Sequence, residues 1–331
     1  MTKIHDFLKS ISPTATLDEK IAESGSGRTN YRIKTDEDSF ILTHNEKIKE
    51  NDSFFYLSNL FKDLNGFVPD IYQVSKDKSM YLQEDLGDQN LLELRLQNHP
   101  DAKEMYAMAV KKLLHLQLGA HQIIDYSKTS GSQSFDMMLV LRDLFYFKNY
   151  YLDLIDLDYS QSSLLDEFEK IAQAIAQTQF RYFMFRDFQG RNIMIHHNKT
   201  YFIDFQDGME GPIAYDLVSL LWQAKAELSD QEKQDLYNIY TSELKNMIPN
   251  LFDAEAFDRD YQICVLIRML QVVGAYGKLG IMQQKSHFRE SLKFGIQNLN
   301  KIASTYEMTD YPILKSICLS LNTNQLPKSK S

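Results

Sequence analysis

The stretch FMFRDFQGRNIMIHHNKTYFIDF, residues 183–205, places three polar side chains beside two apolar runs. Asp187, Asn192 and Asp204 each adjoin one of these runs. The β-prone residues on either side of the polar residues 197–199 predict a strand, a turn and a returning strand. Because the second strand of such a hairpin runs back beside the first, we expect Asp204 to lie next to Asn192.

Asp187 and Asn192 stand in D-x-x-x-x-N spacing, which is typical of the catalytic loop of phosphoryl-transfer enzymes. Such a loop needs a carboxylate near the acceptor hydroxyl and an oxygen ligand for magnesium close by. Asp204 would supply a second oxygen ligand, which this hard cation prefers. The alternative is that both aspartates are ordinary turn or cap residues. The agreement of spacing, hairpin and apolar runs favours a magnesium-dependent phosphotransfer site.

Length and composition bound the possible classes of protein. The chain has 331 residues, which predicts one large two-lobed domain or two small ones. Its formal net charge of −9 argues against nucleic acid or an anionic membrane as the main partner. We expect no bilayer-spanning run, no export signal and no disulfide between the two cysteines, and therefore a cytoplasmic protein.

The first third of the sequence predicts strands and one helix. Residues 21–44 contain two β-prone stretches around a Gly/Ser turn, and residues 70–88 give a second strand pair. Between them, apolar residues from Phe54 to Leu64 recur at helical spacing, with Asn51 or Asp52 as the N-cap.

After about residue 90 the apolar spacing becomes helical. The predicted helices span residues 105–124, 136–155, 164–176, 215–227, 230–247, 254–279 and 287–306. The predicted fold class is α+β, with a small antiparallel-sheet N-lobe (residues 1–84), a larger and mainly helical C-lobe (85–320) and a polar tail (321–331). A ligand is expected in the cleft between such lobes.

Several motifs resemble those of the aminoglycoside phosphotransferase superfamily, whose fold is bilobal and protein-kinase-like. FRDFQGRNIM resembles its catalytic loop, and IDFQDG resembles its metal segment. GPIAYDL and the hinge-like LQEDLGDQNLL look like segments of the cell-wall amino-sugar kinases, which phosphorylate N-acetylmuramate or N-acetylglucosamine at the anomeric hydroxyl. The resemblance covers the chain from Glu23 to about Leu299 and implies ATP and Mg²⁺ as cofactors.

The resemblance also implies a role for each matching residue. Asp187 would be the catalytic aspartate, Asn192 and Asp204 would hold magnesium, and Asp216 would brace the catalytic loop. The nucleotide would be bound by Gly25, Ser26 and Gly27 over its phosphates and by Glu84, Asp85 and Leu86 at its adenine. Taken alone, the glycine turn is explained equally well by a simple hairpin.

The acceptor site is less sharply indicated. Four residues are candidates for contacts with a sugar: Asp143, Arg191, Asp207 and Arg268. Asp143 lies in an aromatic helical stretch, for which core packing is the alternative. Arg268 could be a structural arginine or a ligand for an acidic sugar substituent, because arginine binds carboxylates in either role.

The sequence departs from the family pattern at three places. Phe185 and Gln189 stand where the family has histidines, and we expect both to affect packing more than chemistry. The strand SFILTHN, residues 39–45, lacks the lysine that pairs with the phosphates. Four cations could substitute for it, with Glu50 as their helical partner: Arg32, Lys34, Lys47 and Lys49.

Together these features predict an ATP- and magnesium-dependent small-molecule kinase that acts on a sugar, namely an N-acetylated amino sugar. An aminoglycoside phosphotransferase and a nucleotide-binding regulator without catalytic activity are the alternatives. The expected partner is the small-molecule substrate, with no obligate protein partner evident from the sequence.

Overall fold

The computed structural model describes residues 2–21 and 27–322. Its strands are β1 (Thr16–Lys20), β2 (Thr29–Lys34), β3 (Ser39–His44), β4 (Ile71–Val74), β5 (Met80–Glu84), β6 (Arg181–Met184), β7 (Ile193–His196), β8 (Lys199–Phe202) and β9 (Met209–Pro212). Its α-helices are α1 (Thr2–Ile11), α2 (Ile48–Asp63), α3 (Leu91–Leu96), α4 (Ala102–Ile123), α5 (Met137–Tyr150), α6 (Gln161–Ala176), α7 (Ala214–Leu221), α8 (Asp230–Met247), α9 (Ala254–Tyr276), α10 (Ser286–Thr305) and α11 (Pro312–Ser320). The α+β prediction is confirmed.

The chain forms two compact units. Unit 1 comprises Met1–Gln133 and Phe185–Met209, and unit 2 comprises Ser134–Met184 and Glu210–Ser331. Unit 1 therefore contains the N-terminal sheet and also the segment that carries Asp187, Asn192 and Asp204. These units do not coincide with the lobes predicted at residues 84 and 85, and that lobe boundary stays a prediction.

A five-stranded sheet forms the N-terminal part of unit 1, in the order β1-β2-β3-β5-β4. Each adjacent pair is antiparallel, and β2 and β3 pair in a register that sets Asn30 opposite Thr43. Alternate residues such as Ile33, Leu42 and Leu82 are buried and pack with Phe7 of α1. This period-2 alternation gives the sheet one core face, as expected for antiparallel strands.

Helix α2 begins earlier than predicted. It starts at Ile48 with Lys47 as its N-cap, so the prediction of Asn51 or Asp52 as the cap is wrong. Asn51 is instead buried, and its Nδ2 donates to the backbone oxygens of Asn45 at 2.9 Å and Lys78 at 2.8 Å. Its side chain therefore supplies hydrogen bonds to backbone oxygens outside α2 rather than capping the end of its own helix.

Strands β7 and β8 form the predicted hairpin, with Ile193 opposite Phe202. The two connecting residues, His197 and Asn198, have φ angles of 48° and 55°. Positive φ at both positions is the signature of a type I′ turn, whose twist matches that of the strands it joins. The register of the hairpin follows from this short turn.

Unit 2 is mainly helical, and helix α9 packs against α5, α7 and α10. Gly274 permits the close approach of α5, because a Cβ there would lie 2.8 Å from the backbone nitrogen of Phe147. All seven helices predicted after residue 90 have counterparts, although α7 ends at Leu221 instead of Glu227. The short helices α1, α3 and α11 were not predicted.

One helix of the described residues, Ala254–Met282, is long and apolar enough to cross a membrane by length and composition alone. The expectation that the sequence holds no such run is wrong for this helix. Its most apolar window is 61% buried inside the protein. Buried core helices pass the same test of length and composition, and the packing of α9 among three other helices matches that description.

Candidate active site

Asp204 lies where strand β8 has ended and the chain turns sharply. Its φ of 63° is in the left-handed region, which aspartate tolerates better than most residues. The next residue, Phe205, is fully buried and stacks on Phe54 of α2 at a centroid distance of 5.1 Å. Phe61, further along α2, contacts the ring of Phe205 edge-on, with a centroid distance of 5.1 Å. This aromatic anchor holds the backbone that presents the Asp204 carboxylate.

The hairpin brings Asn192 close to Asp204 and to Asp187. The backbone nitrogen of Ile203, the residue before Asp204, donates to the backbone oxygen of Asn192 at 3.1 Å. On its other side, Asn192 Nδ2 donates to the Asp187 backbone oxygen at 2.9 Å and lies 3.4 Å from its Oδ2. Asp187 and Asn192 are therefore hydrogen-bonded to each other, and Asp204 directly follows the residue whose backbone bonds to Asn192, as predicted for the hairpin.

Asp187 accepts further hydrogen bonds from its own loop. Arg191 Nη2 donates to its Oδ2 at 3.1 Å, and Gln189 Nε2 donates to its Oδ1. Gln189 thus touches the candidate catalytic carboxylate rather than the core. Phe185, by contrast, is buried and packs on Phe61 and Phe188, with centroid distances of 5.4 Å to each ring.

The oxygen atoms of this group fit magnesium. Asp204 Oδ1 accepts from Gln206 Nε2 and from Arg28 Nη1, each at 3.1 Å, while the amide nitrogen of Asn192 faces Asp187. Neither the amide oxygen of Asn192 nor the second carboxylate oxygen of Asp204 takes part in those bonds. Magnesium is commonly bound through one or two protein oxygens, with phosphates and water completing the shell. Within the described ranges, no group of three or more His, Cys, Asp or Glu side chains is arranged to hold a metal ion.

Arg28 is a site residue that the sequence reasoning missed. It directly precedes β2, and its side chain is only 10% exposed. Its Nη1 pairs with Asp204, and its Nη2 lies 3.4 Å from Glu50 Oε2 on α2. Lys47 Nζ also reaches Glu50, at 2.8 Å. Burial raises the pKa of Glu50, but Lys47 and Arg28 outweigh it and hold that pKa below its usual value.

Unit 1 contains a cavity of about 240 Å³, and two of its lining residues, Met194 and Ile203, lie close to Asn192 and Asp204 along the chain. Its lining residues come from β2, β3, β5 and β7 and from the segments after β1, before β4, after β5 and after β8: Ile21, Asn30, Arg32, Ile41, Pro69, Gln83, Glu84, Asp85, Leu86, Gly87, Asp88, Met194 and Ile203. The predicted hinge residues Glu84, Asp85 and Leu86 are all among them. The cavity is smaller than the roughly 300–1,000 Å³ of pockets that enclose a whole ligand.

Arg32 binds two aspartates in and beside the predicted hinge segment. Its Nε donates to Asp85 Oδ2 at 2.8 Å, and its Nη2 donates to Asp88 at 2.6 Å. Burial raises the pKa of Asp85, but hydrogen bonds from Ser39, Arg32 and the Gly87 backbone together lower it below its ordinary value. Arg32 is therefore committed to Asp85 and Asp88, and Lys34 pairs with Asp18 in the middle of the exposed strand β1.

We expect Asp85→Asn to lower the free energy of unfolding at pH 7 by about 1–3 kcal/mol, the typical worth of hydrogen bonds to a buried charge. The pKa of Asp85 is lower in the folded protein, so its stabilisation is complete above its unfolded pKa of about 4. That stabilisation is lost as the pH falls through the folded pKa. Urea unfolding at pH 7 and at successively lower pH measures the difference.

Asp88→Asn is the matched control for this prediction, because Asp88 binds the same arginine but its side chain is 84% exposed. Exposed ion pairs typically contribute about 0.2–1 kcal/mol. A larger loss at Asp88 than at Asp85, or a loss at Asp85 that does not diminish on acidification, contradicts the assignment.

The other nucleotide and acceptor candidates in unit 1 divide into three cases. Gly25 and Ser26 lie outside the described residues. Gly27 adopts a φ of 76°, and a Cβ built on it would meet no atom within 4 Å, so its conformation rather than crowding requires glycine. Arg191 contacts Asp187, as described, and Asp207 accepts a hydrogen bond from Ser130 Oγ. The proposed roles of these residues stay predictions.

Asp143, Asp216 and Arg268 belong to unit 2, and all three are buried. Arg268 Nη1 donates to Gln271 at 2.9 Å, and its guanidinium lies 5.6 Å from the centre of the Tyr215 ring. These contacts match the structural alternative for Arg268. Asp143 is 7% exposed on α5, and Asp216 is fully buried on α7. The roles predicted for these residues in binding and bracing also stay predictions.

Comparison with known proteins agrees with this geometry. The model of a family described as "Phosphotransferase enzyme family" matches residues 18–247 of this chain. An N-acetylmuramate/N-acetylglucosamine kinase from Neisseria meningitidis serogroup B is 24% identical over 315 residues, which cover 92% of this chain and 91% of that protein.

Two solved structures share the fold. Choline kinase LicA from Streptococcus pneumoniae superposes with a TM-score of 0.58 at 13% identity, covering 92% of this chain and 98% of its own. A thermostable mutant of an aminoglycoside phosphotransferase superposes with a TM-score of 0.54 at 14% identity. The superposition covers 85% of this chain and 95% of that chain. These likenesses confirm the predicted protein-kinase-like fold. Because the matched family spans more than half of the sequence, including the β7–β8 hairpin, the chain belongs to the phosphotransferase enzyme family.

Proposed function

We propose that this phosphotransferase is an ATP- and magnesium-dependent kinase that transfers the γ-phosphate to the anomeric hydroxyl of an N-acetylated amino sugar. The observation that carries the proposal is that the hairpin sets Asp204 directly after the residue bonded to Asn192, while the Asn192 side chain bonds to Asp187. A cavity lined by the hinge residues lies beside that group and supports a nucleotide as the phosphate donor.

Each residue of the group has a separate task in this proposal. Asp187 orients the acceptor hydroxyl and accepts its proton, while Arg191 and Gln189 fix the rotamer of its carboxylate. Asn192 and Asp204 hold magnesium through oxygen atoms. When bound, magnesium neutralises charge on the nucleotide phosphates. Positioning and electrostatics supply most of the rate enhancement, because phosphoryl transfer requires little covalent chemistry from the protein.

The choice of acceptor rests on the relatives. The Neisseria protein is named for N-acetylmuramate and N-acetylglucosamine, and it matches this chain over almost its whole length. The 315 matched residues are enough to span the predicted hinge and both predicted motifs. A cytoplasmic role in recycling cell-wall sugars is part of the proposal.

A kinase assay with magnesium and labelled ATP tests the acceptor. The panel contains N-acetylmuramate, N-acetylglucosamine, other hexoses, choline-like alcohols and aminoglycosides. We expect transfer to the N-acetylated sugars, together with loss of their reducing ends. The methyl glycoside of N-acetylglucosamine is the matched control, because its anomeric oxygen is blocked, and it should not be phosphorylated.

Each other outcome identifies a different function. Phosphorylation of the methyl glycoside would place the transfer at another hydroxyl. Transfer to aminoglycosides without transfer to N-acetylated sugars would indicate an antibiotic kinase. Retained ATP binding without transfer to any acceptor would indicate a regulator.

A further inference from the structure

The third strand of the sheet provides no cation for the nucleotide phosphates. Strand β3 contains neither lysine nor arginine, and its Thr43 is 1% exposed. Thr43 Oγ1 donates to Asn30 Oδ1 at 2.8 Å, which commits this side chain to the neighbouring strand. Ile41, two residues earlier, lines the cavity. The inward face of β3 is therefore neutral beside the candidate nucleotide site.

Of the four cations proposed from the sequence, two are paired elsewhere and two are exposed. Arg32 binds the hinge aspartates, and Lys34 pairs with Asp18. The side chain of Lys47 is 63% exposed even though it reaches Glu50, and Lys49 is exposed as well. In the described part of the chain, the cation that pairs with Asp204 is Arg28.

Arg28 is built into its position. Its guanidinium connects Asp204, after β8, with Glu50 on α2, which also accepts a hydrogen bond from Asn45 Nδ2 at 3.3 Å. The side chain is nine-tenths buried, and its Nε has no hydrogen-bond partner among the described residues. Arginine carries five N–H donors, and a buried donor without an acceptor is costly. The protein thus leaves donor capacity unused next to the carboxylate that would hold magnesium.

We propose that Arg28 replaces the missing strand lysine: it binds the phosphates of the nucleotide, and Glu50 acts as its positioning residue. The inference rests on the proposed function for the identity of the ligand. The planar guanidinium suits this role, because it can bind two phosphate oxygens at once. The cation then comes from the start of β2, immediately after the glycine-bearing turn, instead of from the middle of β3.

Calorimetric binding of ATP, ADP and adenosine tests this assignment without an acceptor sugar. Arg28→Gln should weaken ATP and ADP binding about 10- to 100-fold, the range expected for loss of charge-assisted hydrogen bonds. Adenosine lacks phosphates, so its affinity should not change. Arg28→Lys keeps the charge and should recover part of the loss. Glu50→Gln should shift ATP affinity in the same direction as Arg28→Gln, by a smaller factor.

Lys78→Gln is the matched control. Lys78 is 51% exposed and pairs with Asp52 on the same helix as Glu50, so its removal should leave the affinity for all three ligands unchanged. If Arg28→Gln does not fold, Arg28→Lys and Glu50→Gln carry the test. If the folded Arg28 and Glu50 variants keep the wild-type ratio of ATP to adenosine affinity, the assignment is overturned. This holds whether both affinities are unchanged or both fall by the same factor.

The outcome for Arg28 is separable from that for the acceptor. A wild-type protein that binds ATP but phosphorylates no amino sugar refutes the proposed function, while the affinity ratios still decide the role of Arg28. A sugar kinase whose Arg28→Gln variant keeps the wild-type ratio refutes only the arginine assignment.

Discussion

Asp187→Asn is expected to lower kcat by about 10²–10⁴-fold, the usual contribution of a positioned general base. Asparagine keeps the size and planarity of the side chain, so it can still bond to Arg191 and Asn192 on one side. It cannot accept a proton from the acceptor hydroxyl. The affinity for ATP should stay close to that of the wild type, because Asp187 contacts its own loop rather than the cavity lining. Steady-state kinetics and calorimetry separate the two effects.

Asp125→Asn is the control for this experiment. Asp125 caps a short helical turn in unit 1 and is exposed, so its replacement should leave kcat unchanged. If Asp187→Asn retains a kcat within about tenfold of the wild type, below the range for general-base catalysis, Asp187 is not the catalytic carboxylate.

Asp204→Asn should abolish measurable turnover while the fold survives. Asparagine tolerates the φ of 63° at this position, so the substitution removes charge without adding backbone strain. It also leaves Phe205 packed on Phe54 and Phe61. We expect the wild type to bind ATP more tightly with magnesium than with a chelator, and the variant to lose that difference. Circular dichroism and thermal unfolding verify that the variant is folded.

Asp207→Asn, three residues further along, provides the comparison for Asp204. Asp207 bonds to Ser130, so its loss should leave the magnesium dependence of ATP binding in place. Wild-type turnover in Asp204→Asn, or an undiminished magnesium effect, contradicts the assignment of Asp204 as a metal ligand.

The β7–β8 hairpin could be predicted from sequence because its determinants are local. The spacing of Asp187 and Asn192, the polar turn and the two β-prone runs together specify where Asp204 must return. Helix α8 was predicted with both of its ends, since Ser229 and Glu232 form a capping box at its start. Helix α2 was placed one turn too late, because the side chain of Asn51 serves a distant loop instead of the helix end.

Arg28 could not be found in the same way. Its partners, Glu50 and Asp204, lie 22 and 176 positions away in the sequence. Spacing rules describe neighbours along a helix or a strand, and no such rule links residues so far apart. The available signal was indirect: a cation directly after the glycine turn, combined with a β3 strand that lacks lysine. The connection between these two features becomes visible only in the folded structure, where α2 and the end of β8 pack around the Arg28 guanidinium.

The discontinuity of unit 1 has a consequence for how the protein is made. Residues 134–184 belong to unit 2, so a ribosome must synthesise all of them before the chain returns to unit 1 at Phe185. Until then Phe54 and Phe61 lack the ring of Phe205, and Arg28 lacks one of its two carboxylates. Contacts this distant in sequence form slowly, because a long loop must close first. A nascent chain that has not reached Asp204 therefore lacks a residue of the candidate site, and unit 1 is complete only when the segment Phe185–Met209 has been made.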